Sequence, residues 1–260
     1  RFRGSVVSEM MDGKMGRAPV LCLEKVYKSY SRSGFGGIAS QSVEVLNNFS
    51  LNLYQGETLV LLGKSGLGKS TVARCILRLE DIQAGKIVSA WGMIVNKGEA
   101  GRGWAKKWAA QETMPPQELY RRVQLVPQST GNSLNPFMTL EQNITRVMSQ
   151  NPGTRSLEEG LALSGLDTSL LGRRPVQLSG GQRQRFLLLR ALIMNPRIII
   201  FDEPVSSLDS SIQARILNTL RRLKEEQNLS YLFITHNTDV AEYIGDRIIN
   251  METITRYGKI

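Results

Sequence analysis

The stretch that decides the fold is Thr58-Leu59-Val60-Leu61-Leu62-Gly63-Lys64-Ser65-Gly66-Leu67-Gly68-Lys69-Ser70-Thr71. Thr58 to Leu62 is a short continuous apolar run, the pattern of a strand buried on both faces. It leads directly into glycines, and beyond them Val72, Ile76, Leu77 and Leu79 recur at helical spacing. Strand, glycine loop and helix therefore follow in that order, and Gly63 to Ser70 fits the phosphate-loop pattern GxxxxGK(S/T). Glycines let successive backbone N–H groups turn inward around phosphates, while the following helix presents its positive end. Lys69 then reaches the outer phosphates and Ser70 ligates a magnesium ion. A glycine-rich turn with a solvated lysine is the ordinary alternative, and the strand-to-helix setting argues against it.

Outward from this unit the chain alternates strands and helices. Val20 to Val26 is strand-like, Ser31 to Ser42 is rich in glycine and serine, and Val43 to Leu53 alternates in part, which predicts an antiparallel edge ribbon with a loop. Arg197 to Phe201 reads as a second buried strand, and Ile212, Ile216, Leu217, Leu220 and Leu223 mark an amphipathic helix after it. Leu229 to Thr235, Thr238 to Ile244 and Arg247 to Met251 read as strand, short helix and strand. This is an α/β pattern with a mostly parallel sheet covered on both sides. Between about Tyr120 and Met194 only Val123 to Val126 looks like a strand, whereas Leu140 to Met148, Leu157 to Ser164 and Gln182 to Met194 look helical. A helical subdomain over about 120–194 is therefore expected inside the α/β core. Gly98 to Gln117, with Trp104, Lys106, Lys107, Trp108 and a Pro115-Pro116 break, is expected to be a surface excursion. Residues 1–19 are read as a tail and 20–260 as one folded domain, because Arg1 to Arg17 are basic and lack the apolar segment of a signal peptide.

With 260 residues, 41% of them hydrophobic, the chain can bury a full-sized core, so a disordered tail or minimal module is excluded. Cys22 and Cys75 cannot make a disulfide framework, and a single histidine, His236, leaves no His-rich metal site, so a reducing, intracellular setting is expected. No apolar run approaches the roughly 18 to 20 residues that span a bilayer. Lysine plus arginine total 33 against 23 acids, a net charge of +10. Such a balance suits an anionic partner (nucleotide, nucleic acid or an acidic membrane leaflet) or simply a solvated basic face.

Two further constellations carry chemistry. Ile198 to Phe201 is followed by Asp202 and Glu203, two acids at the carboxyl end of a buried strand, where open α/β sheets bind ligands. Asp202 is placed to hold magnesium through water, and Glu203 to act on the attacking water as general base. Leu178-Ser179-Gly180-Gly181-Gln182 opens the next helix upstream, so a hydroxyl, two unhindered glycine amides and a helix amino terminus meet at one spot. A plain helix cap is the simpler reading. It leaves unexplained why a second phosphate-binding constellation accompanies the first, unless it serves a neighbour's nucleotide.

Together these residues resemble the nucleotide-binding subunit of an ABC transporter, over about Val20 to Ile260. Gly63 to Thr71 is similar to its Walker A loop, Gln128 to its Q-loop glutamine, Ser179 to Gln182 with Leu178 to its signature, and Ile198 to Glu203 to its Walker B strand. Ser207-Leu208-Asp209 resembles its D-loop and His236 its switch histidine. The resemblance implies an α/β P-loop NTPase core with an antiparallel β edge ribbon and an inserted α-helical subdomain. It also implies ATP and Mg2+ as ligands. Ser70, Gln128 and Asp202 would lie on the metal side. Gly63, Lys64, Ser65, Gly66, Leu67, Gly68, Lys69, Ser70 and Thr71 would hold the nucleotide, with Ser179, Gly180, Gly181 and Gln182 contributing from the opposite chain and Asp209 also among the nucleotide-binding residues. Glu203, His236 and Gln128 would carry hydrolysis. An aromatic residue upstream of Walker A holds the adenine in this family; Tyr30 resembles that position, with Tyr27 and Phe35 as competitors. Asn237 stands where the family usually follows its histidine with an aspartate, and Pro127 where an aromatic residue usually precedes the glutamine.

Val123 to Leu140, with Ser133-Leu134-Asn135-Pro136 after the glutamine, resembles the dipeptide, oligopeptide and nickel importer subfamily. The loop Ser33 to Gln41 and the end at Ile260 point toward its short nickel-type second ATPase. The resemblance implies a head-to-tail pair with a second ATP-binding subunit, identical or homologous. It also implies two transmembrane permease subunits, an extracytoplasmic substrate-binding protein as indirect partner, and no nucleic acid. The expected location is the cytoplasmic face of the bacterial inner membrane. The alternative is a soluble ATPase of the same superfamily acting on nucleic acid or the ribosome, or in a phosphonate-processing complex; the basic Trp104 to Trp108 patch suits it, and the Ser133 to Pro136 element argues against it.

Overall fold

A computed structural model describes residues 18–32, 41–98, 113–128, 133–151 and 153–253. They form two compact units, one drawn from residues 1–55, 61–119 and 249–260, the other from 56–60 and 120–248. In chain order the strands and helices of the first part are β1 Pro19–Arg32, β2 Gln41–Tyr54, β3 Thr58–Leu62, α1 Lys69–Ile76, β4 Ala84–Ser89 and β5 Gly92–Asn96. Then come α2 Pro116–Arg122, β6 Val123–Val126, α3 Leu140–Gln150, α4 Leu157–Ser164 and α5 Gly180–Ile193. The last are β7 Ile198–Asp202, α6 Ser210–Gln227, β8 Ser230–Thr235, α7 Thr238–Ile244 and β9 Arg247–Asn250.

The first unit is built on a four-stranded sheet in the order β2-β1-β4-β5. β1 runs antiparallel to β2 from Leu21↔Leu53 out to Arg32↔Gln41, and antiparallel to β4 through Leu23↔Ile87. Leu21, Leu23, Leu51, Leu53 and Ile87 are buried on one face, while Cys22 and Val88 form a smaller cluster with Met93 on the other. Removing each of these aliphatic side chains from water contributes on the order of 1.5–3 kcal/mol.

The expected ribbon is therefore present but longer than its apolar pattern. Backbone pairing carries it through Ser31↔Ser42, where polar residues suffice because an antiparallel ladder needs no buried face. β4 and β5 are strands that the alternation did not announce. Part of the expected excursion at Gly98 to Gln117 lies outside the described residues, including Trp104, Lys106, Lys107 and Trp108. The part that is described packs: Met114 is buried, its N–H donates to the Met93 carbonyl at 2.8 Å, and Arg78 donates to the Met114 carbonyl at 3.0 Å. The proline pair opens a helix, Pro116 standing first in α2, where a missing N–H costs nothing. The helix after the glycine loop is shorter than its apolar spacing: α1 stops at Ile76, Arg78 turns to φ 56°, and Leu79 is exposed.

The second unit carries the order β6-β7-β8-β3-β9, with β6, β7 and β8 parallel through Val123↔Ile198 and Ile198↔Ser230. Ile198 to Phe201 and all of β8 are buried, as expected of strands covered on both faces. Phe201 meets Tyr231 edge-on at 5.1 Å and Phe233 at 5.7 Å. The Tyr231 hydroxyl donates to the Leu220 carbonyl of α6 at 3.1 Å, and burial pushes that phenol's pKa up, so it stays a donor. Ile216, Leu217, Leu220 and Leu223 form the buried stripe of α6. α3, α4 and α5 lie close to the ranges their periodicity predicts.

β3 is tied at its start by Asp246. The Thr58 N–H donates to Asp246 Oδ2 at 2.7 Å, the Asp246 N–H donates to the Thr58 carbonyl at 2.9 Å, and Lys224 donates to the same Oδ2 at 2.6 Å. Asp246→Ala leaves the Thr58 N–H without its acceptor. We expect it to lower unfolding free energy by roughly 1–3 kcal/mol in denaturant titration, and Asp246→Asn, which keeps an acceptor oxygen, to lose less.

Candidate active site

In the first unit the buried run of β3 ends and the chain turns through Gly63 to Gly68 into α1. Lys64, Ser65 and Gly66 are exposed, Leu67 and Ser70 half-buried, and Gly63, Gly68, Lys69 and Thr71 buried. Gly68 is the N-cap of α1 at φ 84°, and a Cβ there would lie 2.6 Å from Val45 Cγ1 and 3.1 Å from the Val45 carbonyl. Only glycine combines that left-handed backbone with so close an approach. α1 has no side-chain cap and no acid in its first turn, so no carboxylate competes with an incoming anion for its positive end. Lys69 curls back over the loop: its ammonium donates to the Gly63 carbonyl at 2.6 Å and the Lys64 carbonyl at 2.8 Å. The buried charge is thereby hydrogen-bonded, as burial requires.

In the same unit Tyr30 of β1 stands 36% exposed, its hydroxyl donating to Glu80 and lying 3.4 Å from Thr71 Oγ1. Of its two sequence competitors, Tyr27 is half-buried on the same strand and Phe35 lies outside the described residues.

The second unit gathers three of the predicted residues on one oxygen. Glu203 Oε2 lies 2.8 Å from His236 Nδ1 and 3.4 Å from Gln128 Nε2. The topology makes this meeting possible: β6, β7 and β8 are parallel neighbours, and Gln128, Glu203 and His236 each follow the carboxyl end of one of them. Glu203 holds a left-handed backbone, φ 49°, which is uncommon for a side-chain-bearing residue and more so before a proline. It is pinned there: its N–H donates to the Ile234 carbonyl at 3.0 Å, and its carbonyl accepts from the Ser206 hydroxyl at 3.1 Å. Asp202 closes β7 opposite Ile234, half-buried. Asn237 caps α7 by accepting from the Val240 N–H at 3.1 Å, so the amide in place of the family's aspartate keeps an N-cap acceptor.

Ser179 and Gln182 form a reciprocal capping box on α5. The Ser179 hydroxyl accepts from the Gln182 N–H at 3.3 Å, and the Gln182 side chain accepts from the Ser179 N–H at 2.9 Å. The amides of Gly180 and Gly181 are the first-turn donors outside that box. A Cβ on Gly181 would approach Ile212 Cγ2 to 2.8 Å, so this glycine also lets α5 pack close to α6. Asp209 caps α6 through the Ile212 N–H at 2.9 Å, and this backbone hydrogen bond, with that from Ser211, holds its carboxyl below the usual range. After Gln128, the Ser133 to Pro136 element is held by Arg190, which donates to the Ser133 carbonyl, and by Asn143, which accepts from the Asn135 N–H at 3.0 Å and donates to the Thr139 carbonyl at 2.9 Å. Burial pushes the Arg190 pKa down. Phe137 projects from this braced turn, 83% exposed.

Sequence reading missed Glu80, Ser206, the Arg190 brace and the contacts of Lys28 with Glu80 and the Tyr30 ring. Lys28 had a signal, since residues two apart on a strand share a face with Tyr30. The others belong to no short-range pattern.

A phosphate loop before an uncapped helix in one unit, and in the other a strand-end carboxylate flanked by glutamine and histidine, define a nucleoside-triphosphatase of the phosphate-loop class. The family profile described as "ABC transporter" matches residues 46–206. The chain belongs to that family. It is 38% identical over 236 residues to the oligopeptide transport ATP-binding protein AppF of Bacillus subtilis (strain 168), covering 88% of this chain and 68% of the relative. It is 37% identical over 230 residues to the nickel import ATP-binding protein NikE of Shigella boydii serotype 4 (strain Sb227), covering 86% and 80%. Among solved structures, the dimer of MJ0796, a bacterial ABC transporter cassette, superimposes with a TM-score of 0.69 at 28% identity over 88% of this chain and 93% of the other. The same cassette in a post-hydrolysis dimer with ADP and Pi gives 0.67 at 29%, with the same coverage. The expected α/β P-loop NTPase fold is thus borne out. No helix among the described residues is long and apolar enough to cross a membrane.

The capping box makes a direct prediction. Ser179→Ala should lower stability by about 1 kcal/mol, read as a fall in Tm, and Ser179→Asp, an equally good N-cap, should restore it.

Proposed function

We propose that this ABC ATPase energises an importer for nickel, a metal chelate or peptide, working as one of two ATP-binding subunits paired head to tail. The observation that carries the catalytic part is the convergence of Gln128 and His236 on Glu203 Oε2. Gln128 and His236, from separate segments, orient the Glu203 carboxylate, which is what a general base acting on a positioned water needs. The names of the relatives supply the cargo reading: AppF is named for oligopeptide transport and NikE for nickel import.

In this reading Gly63 to Ser70 wraps the phosphates, Lys69 exchanges its carbonyl partners for phosphate oxygens, and Thr71 and Tyr30 lie on the base side. Among the described residues no group of three His, Cys, Asp or Glu side chains gathers to hold a metal. Magnesium, which takes many of its ligands from phosphate and water, is the cation this reading assigns, with Ser70 of the first unit and Asp202 and Gln128 of the second as the residues the resemblance implies. When bound, magnesium neutralises charge developing on the transferred phosphoryl group. Ser179, Gly180, Gly181 and Gln182 close over the partner subunit's nucleotide, and Asp209 lies on that opposing side.

The braced turn carrying Phe137 supports contact with a membrane subunit: an 83% exposed phenylalanine on a fixed turn is suited to burial by a partner. Closure of the ATPase pair would pass through Gln128 and this turn to a cytoplasmic loop of the permease. The protein then sits peripherally on the cytoplasmic face of the inner membrane, and an extracytoplasmic binding protein delivers cargo to the permeases. The alternative role on nucleic acid or the ribosome gains nothing from the described residues, since the basic tryptophan patch lies outside them.

Glu203→Gln keeps the shape and both neighbours but not the basicity. It should bind ATP like the parent in nucleotide titration while steady-state hydrolysis drops by roughly 10²- to 10⁴-fold; hydrolysis near the parent rate would remove Glu203 as the base. Ser179→Asp should fold as stably as the parent yet lose ATPase activity, because a carboxylate replaces a hydroxyl where a partner's γ-phosphate has to dock. Full activity in that variant would leave Ser179 a helix cap and nothing more.

A further inference from the structure

Around Tyr30 the first unit holds a charge cluster that neither the phosphate loop nor hydrolysis uses. Tyr30 donates to Glu80 Oε2. The same carboxylate takes Lys28 at 3.5 Å and Arg74 at 3.2 Å. Lys28 is itself fixed, donating to the Asp81 carbonyl at 2.8 Å, and its ammonium lies 4.8 Å from the centre of the Tyr30 ring. One face of the ring is thus occupied by a cation. With the side chain still 36% exposed, surface remains for a planar group. Thr71 Oγ1, 3.4 Å from the Tyr30 hydroxyl, belongs to α1 two residues beyond Lys69.

We propose that Glu80 is the positioning residue of the base site: held between Lys28 and Arg74, its carboxylate fixes the Tyr30 ring as a preset platform for a purine. This rests on the reading of Tyr30 as the adenine-stacking residue. An unrestrained tyrosine must give up rotamer freedom when a base stacks on it, whereas a ring already tethered does not. The tether also sets a length. Thr71 links the ring to the helix that follows the phosphate loop, so the platform stands at a fixed span from the phosphate site, and a nucleotide must satisfy both ends at once. Lys28 on the rear face adds cation–π attraction to the ring and repels a second cation from that side.

The titration of the pair agrees with the geometry. Burial and then the hydrogen bond to Glu80 hold the Tyr30 hydroxyl above its ordinary pKa, so it remains a donor. Burial alone would raise the Glu80 carboxyl, but the hydrogen bonds from Tyr30 and Arg74 together with Lys28 bring it below its ordinary value, so it remains a charged acceptor.

Calorimetric titration of the full chain with Mg-ATP and with Mg-tripolyphosphate, which has no base, tests the assignment. Tyr30→Ala should weaken ATP roughly tenfold or more, as loss of a stacking platform does. Tyr30→Phe, which keeps the ring but not the tether, and Glu80→Ala should each weaken ATP by about 3- to 10-fold. The double variant should be no weaker than either alone, and tripolyphosphate affinity should not change in any of them. If Tyr30→Ala loses affinity but Tyr30→Phe and Glu80→Ala bind ATP like the parent, Tyr30 stacks without help and the positioning role is overturned. A tripolyphosphate loss equal to the ATP loss in Glu80→Ala marks a general structural effect and overturns it too. Unchanged ATP affinity in Tyr30→Ala removes the stacking reading itself and the inference with it. Should Glu80→Ala fail to fold, Tyr30→Phe alone still decides.

Discussion

A strand buried on both faces has no room for polar chemistry along its length, so its only chemically available positions lie just past its ends. β7 and β8 are buried throughout their apolar runs, and the rings of Phe201, Tyr231 and Phe233 pack against one another across the two paired strands. Gln128 after β6, Asp202 and Glu203 at the end of β7, and His236 after β8 accordingly stand at carboxyl ends. Because these strands are parallel neighbours, their ends share one edge and the side chains converge there. β3 obeys the same constraint, and the loop after it carries Lys69. The apolar cores set where the chemistry sits, and the strained Glu203 backbone sets where its carboxylate points.

How much of this was legible in the sequence follows from the range of the forces involved. β3, β7 and β8 are specified by local apolar runs, and the turn residues after them belong to short patterns whose spacing is itself the chemistry, so both were readable. β4 and β5 are not. Ala84-Gly85-Lys86-Ile87-Val88-Ser89 and Gly92-Met93-Ile94-Val95-Asn96 are strands because β1 stands ready to pair with the first of them, a fact of tertiary structure and not of alternation. The same holds for the long arms of β1 and β2, whose outer pairs are polar. Pro115-Pro116 read as a break because proline interrupts helices, yet a first-turn position is where a helix tolerates it. Glu80 was invisible for a different reason: it lies fifty positions from Tyr30, and no spacing rule connects a strand tyrosine to a carboxylate beyond the next helix.

The Ser179 to Gln182 corner shows how one set of residues can cap a helix and still leave amides for the proposed nucleotide contact. Ser179 and Gln182 satisfy each other's backbone donors, so α5 starts without any help from a ligand. That choice leaves Gly180 and Gly181, the two residues without side chains, as the remaining first-turn amides, and Gly181 is in addition required by the approach of Ile212. A glycine there is thus over-determined: packing alone would demand it even if no phosphate ever docked. The sequence pattern by itself could not separate the two causes. Substitutions at Ser179 can, because a cap and an anion site respond oppositely to added negative charge.

Lys69 makes the complementary case in the first unit. An ammonium at 4% exposure cannot stay charged in an apolar setting without partners, and the carbonyls of Gly63 and Lys64 provide them at 2.6 and 2.8 Å. These bonds span the loop from its first residues to the start of α1, so the lysine braces the very loop whose amides it assists. The desolvation cost of the charge is therefore met by folding and not by ligand binding. In the proposed reading a triphosphate would meet a buried cation and a helix end with no acid in its first turn, and would exchange neutral acceptors for charged ones, a trade that favours the anion.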